Sequence, residues 1–136
     1  MSQENVEVVR TLYDEMAQGR LSTCMYLFDS EVEYARPSPA GEAAGLGGTW
    51  HGVEEMGRAV AEFIDAFDDF RLEAQRYIDV GDRVVVLGRF RCTAKTSGVL
   101  VERDVGDVLT VQDGRIMRFH QYWERAEALG AVGLRE

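Results

Sequence analysis

The chain has little of what staples or interrupts a fold. Its 136 residues include two cysteines, Cys24 and Cys92, at no metal or redox spacing. A disulfide framework and a thiolate metal site are therefore not expected, and both read as reduced, buried thiols. Two histidines without an acidic neighbour at ligand spacing argue against a metal site, and no cofactor is expected. Fifteen basic residues stand against 24 acidic ones, for a net charge of -9. That balance disfavours nucleic acid or an anionic membrane as partner, because both reward basic patches. No stretch approaches the roughly 20 apolar residues of a membrane span. The opening MSQENVEVV lacks a basic region followed by an apolar run, so no signal peptide is read and the expected location is cytoplasmic.

What is present is an ordinary globular composition, 46% hydrophobic and 29% charged, at a length that suits one domain over residues 1–136. Val6, Val9, Tyr13 and Met16, widened by Leu12, recur at helical spacing and predict a helix over 3–18, with Ser2 as N-cap and Gly19 as stop. A shorter helix is expected over 22–29 and a strand over 31–36, ended by Pro37 and Pro39. Residues 37–49 read as a loop. Their Gly45-Leu46-Gly47-Gly48 run lacks the spacing of a phosphate cradle. Trp50-His51-Gly52 leads into a helix over 54–67 with Met56, Val60, Phe63, Ile64 and Phe67 as its apolar stripe. Four strands follow, over 71–79, 83–93, 102–111 and 115–124, the last two joined at Gln112-Asp113-Gly114. A tail over 126–134 can dock as a turn of helix. The order predicts an α+β architecture, a cone-shaped curved antiparallel sheet with helices packed on its concave face and a ligand cavity between them.

The strand ERDVGDVLTV raises the sharpest question. By the period of two, Val105, Asp107, Leu109 and Val111 share one face. A carboxylate in an apolar row is costly unless paired, exposed or protonated. Three readings of Asp107 stand: an ion pair with Arg89 or Arg91, partial exposure at a bulge made by Gly106, or a pocket carboxyl kept protonated as a hydrogen-bond donor. Tyr13, on the inner face of the first helix, is either a satisfied core phenol or a second donor beside Asp107. On the last strand Met117, Phe119, Gln121 and Trp123 share a face suited to pocket lining. Ile116, Arg118, His120, Tyr122 and Glu124 share the other, suited to a partner subunit. His120 is a candidate base, and His51 reads as structural.

The element order, with TWHGVEEM, DVGDVLTVQDGRI and QYWERAEALGAVGL, resembles the nuclear transport factor 2-like superfamily, and within it the SnoaL-like proteins and the steroid Δ5-isomerases. The resemblance implies that Asp107 is a protonated oxyanion donor, that Tyr13 is the oxyanion tyrosine, and that Phe119, Gln121 and Trp123 face the cavity. Asp104 matches a position that is not catalytic there. The isomerase base position falls on Tyr34, and a phenol is a poor base at neutral pH; Glu33 beside it points to the opposite face. The limonene epoxide hydrolases, similar in fold, place an Arg where this chain has Val105. The polyketide cyclases use a carboxylate near the end of the sheet, where Glu124 lies. The resulting expectation is a pocket bounded by Tyr13, Trp50, Phe63, Phe67, Asp107, Phe119, Gln121 and Trp123. It holds a small apolar carbonyl compound and moves a proton on it, with Tyr34, His120 or Glu33 as base, in a homodimer formed through the outer face of the sheet. The alternatives are a ligand-binding or accessory protein without catalysis and a purely structural dimer subunit with a filled cavity.

Overall fold

The computed structural model describes residues 2–18, 20–37 and 47–135. Helix α1 spans Ser2–Ala17. A 3₁₀ segment, Leu21–Leu27, takes the place of the short α-helix expected there. Strands β1 (Phe28–Arg36) and β2 (Gly48–His51) follow, then helix α2 (Val53–Asp65). The long strands β3 (Phe67–Val80), β4 (Arg83–Ala94), β5 (Leu100–Gln112) and β6 (Arg115–Tyr122) come next, and helix α3 (Arg125–Ala131) ends the chain.

All six strands form one curved, unclosed sheet in the order β2-β1-β6-β5-β4-β3. The meander of β3 to β6 is antiparallel, as the turn spacing predicts. Sequence periodicity did not reveal the other edge. Gly48, Thr49 and Trp50 are strand residues paired antiparallel with β1, and β1 itself runs parallel to β6. Of the Gly-rich run, Gly45 and Leu46 lie outside the described residues, as does Gly19. Phe67 is a strand residue and not the last turn of α2.

The inner face carries the main core. Val9, Leu12 and Tyr13 of α1 pack onto Val84 and Val86 of β4, Leu109 and Val111 of β5, and Phe119 of β6. Leu12 and Leu109 are fully buried, and burying a side chain of that size stabilises the fold by about 1.5–3 kcal/mol. The third helix departs from the expected arrangement. Ala128, Leu129 and Val132 pack on Val85, Leu87 and Val108, which belong to the opposite, convex face. Gly106 permits this close approach, because a Cβ there would lie 2.6 Å from the Cβ of Ala128.

The β5–β6 hairpin turns at Asp113 and Gly114, both at positive φ (52° and 77°), which is the backbone of a type I′ turn. Past the turn the register slips between Thr110 and Val111. That bulge re-aims one residue. Ile116 enters the inner core, fully buried, instead of sharing the outer face with Arg118 and His120.

Candidate active site

Between the sheet and the helices lies a cavity of about 760 Å³. Most of its wall is apolar, including Met25, Met56, Phe63, Phe70, Phe90 and Trp123. One ridge of the wall is polar: Asp107 on β5, Gln121 on β6, and Tyr34 and Arg36 on β1. The register explains the ridge. Asp107 pairs with Gln121, and Tyr34 pairs with Phe119, so alternate residues of three adjacent strands face one space.

Asp107 is 3% exposed. Its Oδ2 accepts a hydrogen bond from the hydroxyl of Tyr13, and Gln121 is its cross-strand neighbour on β6. Burial pushes its pKa up to about 7, while Tyr13 and Gln121 pull it back down. Arginines expected as ion-pair partners are elsewhere. Arg89 holds Asp104 at 2.9 Å, on the far side of β5. The strand is in regular register through Gly106, so no bulge exposes Asp107.

Tyr13 does not line the cavity; it stands behind Asp107, buried, and burial together with the Asp107 carboxyl holds its phenol well above the usual value. The Tyr34 hydroxyl donates to Gln121 Oε1 at 2.5 Å, and burial pushes its pKa up to about 12, so it keeps its proton at neutral pH. Arg36 donates through one guanidinium nitrogen to the Tyr34 oxygen (3.3 Å) and to the Ala59 carbonyl of α2 (3.0 Å). Its guanidinium also lies over the Trp50 and Phe63 rings, each 4.8 Å to the centroid.

The other named residues divide cleanly. Phe63, Phe119, Gln121 and Trp123 line the cavity with Asp107 and Tyr34. Trp50 stacks on Tyr34 from outside the cavity wall (centroids 5.6 Å apart), and Phe67 is buried against Phe63 (5.1 Å). His120 is on the outer face, 2.8 Å from Glu33, whose carboxyl is held below its usual range chiefly by that hydrogen bond. His51 lies 3.5 Å from the same Glu33. Glu124 is a surface residue paired with Arg103 at 2.7 Å. Cys24 and Cys92 are buried and form no disulfide. Among the described residues no cluster of three or more metal-ligating side chains occurs, and no helix is long and apolar enough to cross a membrane.

Arg36 was not foreseen as a cavity residue, although the signal was present. It stands two residues after Tyr34, on the same strand face, and it is 6% exposed. The three methionines of the wall, Met16, Met25 and Met56, are likewise assembled only by the fold.

The fold agrees with the comparisons to known proteins. The SnoaL-like domain family matches residues 9–119, and the chain belongs to that family. A nuclear transport factor 2-like protein of unknown function from Burkholderia pseudomallei is 26% identical, with a TM-score of 0.77 over 96% of this chain and 98% of that one. TerC, co-crystallised with polyporic acid, is 23% identical, with a TM-score of 0.77 over 95% of this chain and 98% of that one. A protein with a ketosteroid isomerase-like fold from Catenulispora acidiphila, in complex with trimethylamine, is 16% identical, with a TM-score of 0.73 over 94% and 93%. No curated protein matches the chain.

Proposed function

We propose that this protein is a small-molecule enzyme that moves a proton on a neutral, mostly apolar carbonyl compound held in the cavity, with Asp107 as the acid–base group. One observation carries the reading: a carboxyl lining an apolar cavity, 3% exposed, with its pKa at about 7. A group so tuned is present in both protonation states at neutral pH, which suits general acid–base work. As carboxylate it removes a proton from carbon next to the carbonyl; as carboxylic acid it returns that proton to carbon or donates a hydrogen bond to oxygen. Gln121 lines the cavity beside Asp107, and its amide N–H groups are the donors we assign to the carboxyl and to the developing oxyanion. Tyr13 acts from behind, holding the carboxyl. Tyr34 keeps its proton and is a donor, while His120 and Glu33 lie on the other face of the sheet.

TerC, which shares the fold, was co-crystallised with polyporic acid, in keeping with a small-molecule cavity here. An open cavity favours this reading over a purely structural subunit. A homodimer through the outer face would use the part that α3 leaves open, the β1–β6 side with Glu33, Arg118 and His120. The test of the enzymatic reading is exchange of solvent deuterium into the carbon next to the carbonyl of a panel of apolar ketones, followed by NMR. Exchange that disappears in Asp107→Asn supports it. Ketones that bind without exchanging sink it in favour of a binding protein.

A further inference from the structure

We propose that Arg36 and Tyr34 are positioning residues, forming a one-way hydrogen-bond chain that fixes the Gln121 amide with its N–H groups toward Asp107. The direction of the chain follows from what each group can do. A guanidinium has five N–H donors and no acceptor. Arg36 therefore can only donate to the Tyr34 oxygen, 3.3 Å away. The single phenolic proton of Tyr34 points away from that guanidinium and onto Gln121 Oε1. With its oxygen so engaged, the Gln121 amide has its nitrogen left for Asp107, its cross-strand neighbour on the same cavity wall.

The alternative amide orientation would turn an oxygen toward a carboxyl, a contact that only the protonated acid can satisfy, by donating its O–H. The chain thus selects the amide orientation that favours ionised Asp107, against a burial that favours the acid. Arg36 is held for this task at several points: by the Ala59 carbonyl, and between the Trp50 and Phe63 rings. The groups that face Asp107 are Tyr13 of α1 and Gln121 of β6, with Tyr34 and Arg36 of β1 behind Gln121. Its β4 neighbour is Val86, and Tyr77 of β3 reaches only the edge of Tyr13. Arg71 and Glu73 of β3 line the cavity from its exposed end.

The inference rests on the reading of Asp107 as the proton-moving group only for its consequence in catalysis. The chain itself is tested on the unliganded protein by carbon NMR of the aspartate carboxyls, the Asp107 signal being assigned by its loss in Asp107→Asn. Tyr34→Phe should shift the Asp107 midpoint upward by about one unit, the worth of one hydrogen bond to a charged group. Gln121→Met should shift it upward as well, and the double variant should add nothing to Gln121→Met alone, since Tyr34 acts through Gln121. Arg36→Lys, also a donor without an acceptor, should leave the midpoint where it is. An unchanged midpoint in folded Tyr34→Phe overturns the proposal, and so do additive shifts in the double variant. Should Tyr34→Phe not fold, the Gln121 amide protons of the wild type decide: one slowly exchanging Nε2 proton supports the chain, and two rapidly exchanging ones overturn it.

Discussion

The hydroxyl of Tyr13 donates to Oδ2 of Asp107, joining α1 to β5 across 94 residues of sequence. Both groups are buried, and the bond faces the core and not the cavity. Tyr13 is not among the residues that line the cavity, whereas Asp107 is. Tyr13 reaches Asp107 from behind the cavity wall.

Asp107→Asn separates activity from stability. On the proposed role of Asp107, losing its carboxyl should lower turnover about 10²–10³-fold. The stability effect has the opposite sign. Folded Asp107 titrates near 7 and the unfolded residue near 3.8, so between those values the folded state holds a proton that the unfolded state has lost. Wild-type stability from this group is greatest below the unfolded pKa, falls as pH rises to about 7 and is flat beyond. The asparagine variant lacks that slope. Urea unfolding at pH 5 and pH 8 should show wild type losing more stability than the variant across the interval.

The rate itself should report the same group. For a proton abstraction limited by Asp107 carboxylate, kcat/KM rises with pH and levels off above about 7. Tyr13→Phe removes a bond that favours the carboxylate, so the inflection should move to higher pH while the protein remains folded. A pH–rate profile of the two proteins checks this, and an inflection that stays put would mean that Tyr13 only fills space.

His120→Ala should leave turnover unchanged, because His120 meets Glu33 on the face of the sheet away from the cavity. Its effect should appear instead in acid stability. Glu33 loses the partner that lowers its pKa. A lowered carboxyl pKa contributes stability above the unfolded value and loses it as pH falls through the folded one. The wild type should accordingly hold an advantage at neutral pH that shrinks during acid titration, measured by circular dichroism.

Gly106→Ala probes the convex face. The added methyl would come within 2.6 Å of the Ala128 Cβ, so α3 must move away from β5. Overpacking of this kind costs about 1–3 kcal/mol. Thermal unfolding should show the loss, with hydrogen exchange increased in 125–131 and the Asp107 midpoint unmoved.

Much of this was legible in the sequence because it depends on local rules. Apolar spacing marks α1 and the inner residues of β4 and β5; Asp-Gly marks the hairpin; a carboxyl in the row Val105, Leu109, Val111 marks Asp107 as inward-facing. Other features depend on pairings between distant segments. Four-residue β2 is too short to carry a periodic signal, and it is a strand because β1 offers it an edge. The convex placement of α3 hangs on a missing side chain at Gly106, and the inward turn of Ile116 on a one-residue slip.

The site divides along the same line. Sequence alone determined which carboxyl lies in an apolar row, since the two-residue period of a strand is a property of the backbone. It also placed Gln121 and Phe119 on one face. Only the tertiary structure decided what surrounds Asp107. Its ionisation is set by depth of burial and by donors from α1 and β6, and the orientation of one of those donors is set from β1. Hydrogen-bond direction is a property of the assembled chain of groups, and no spacing along the sequence encodes it.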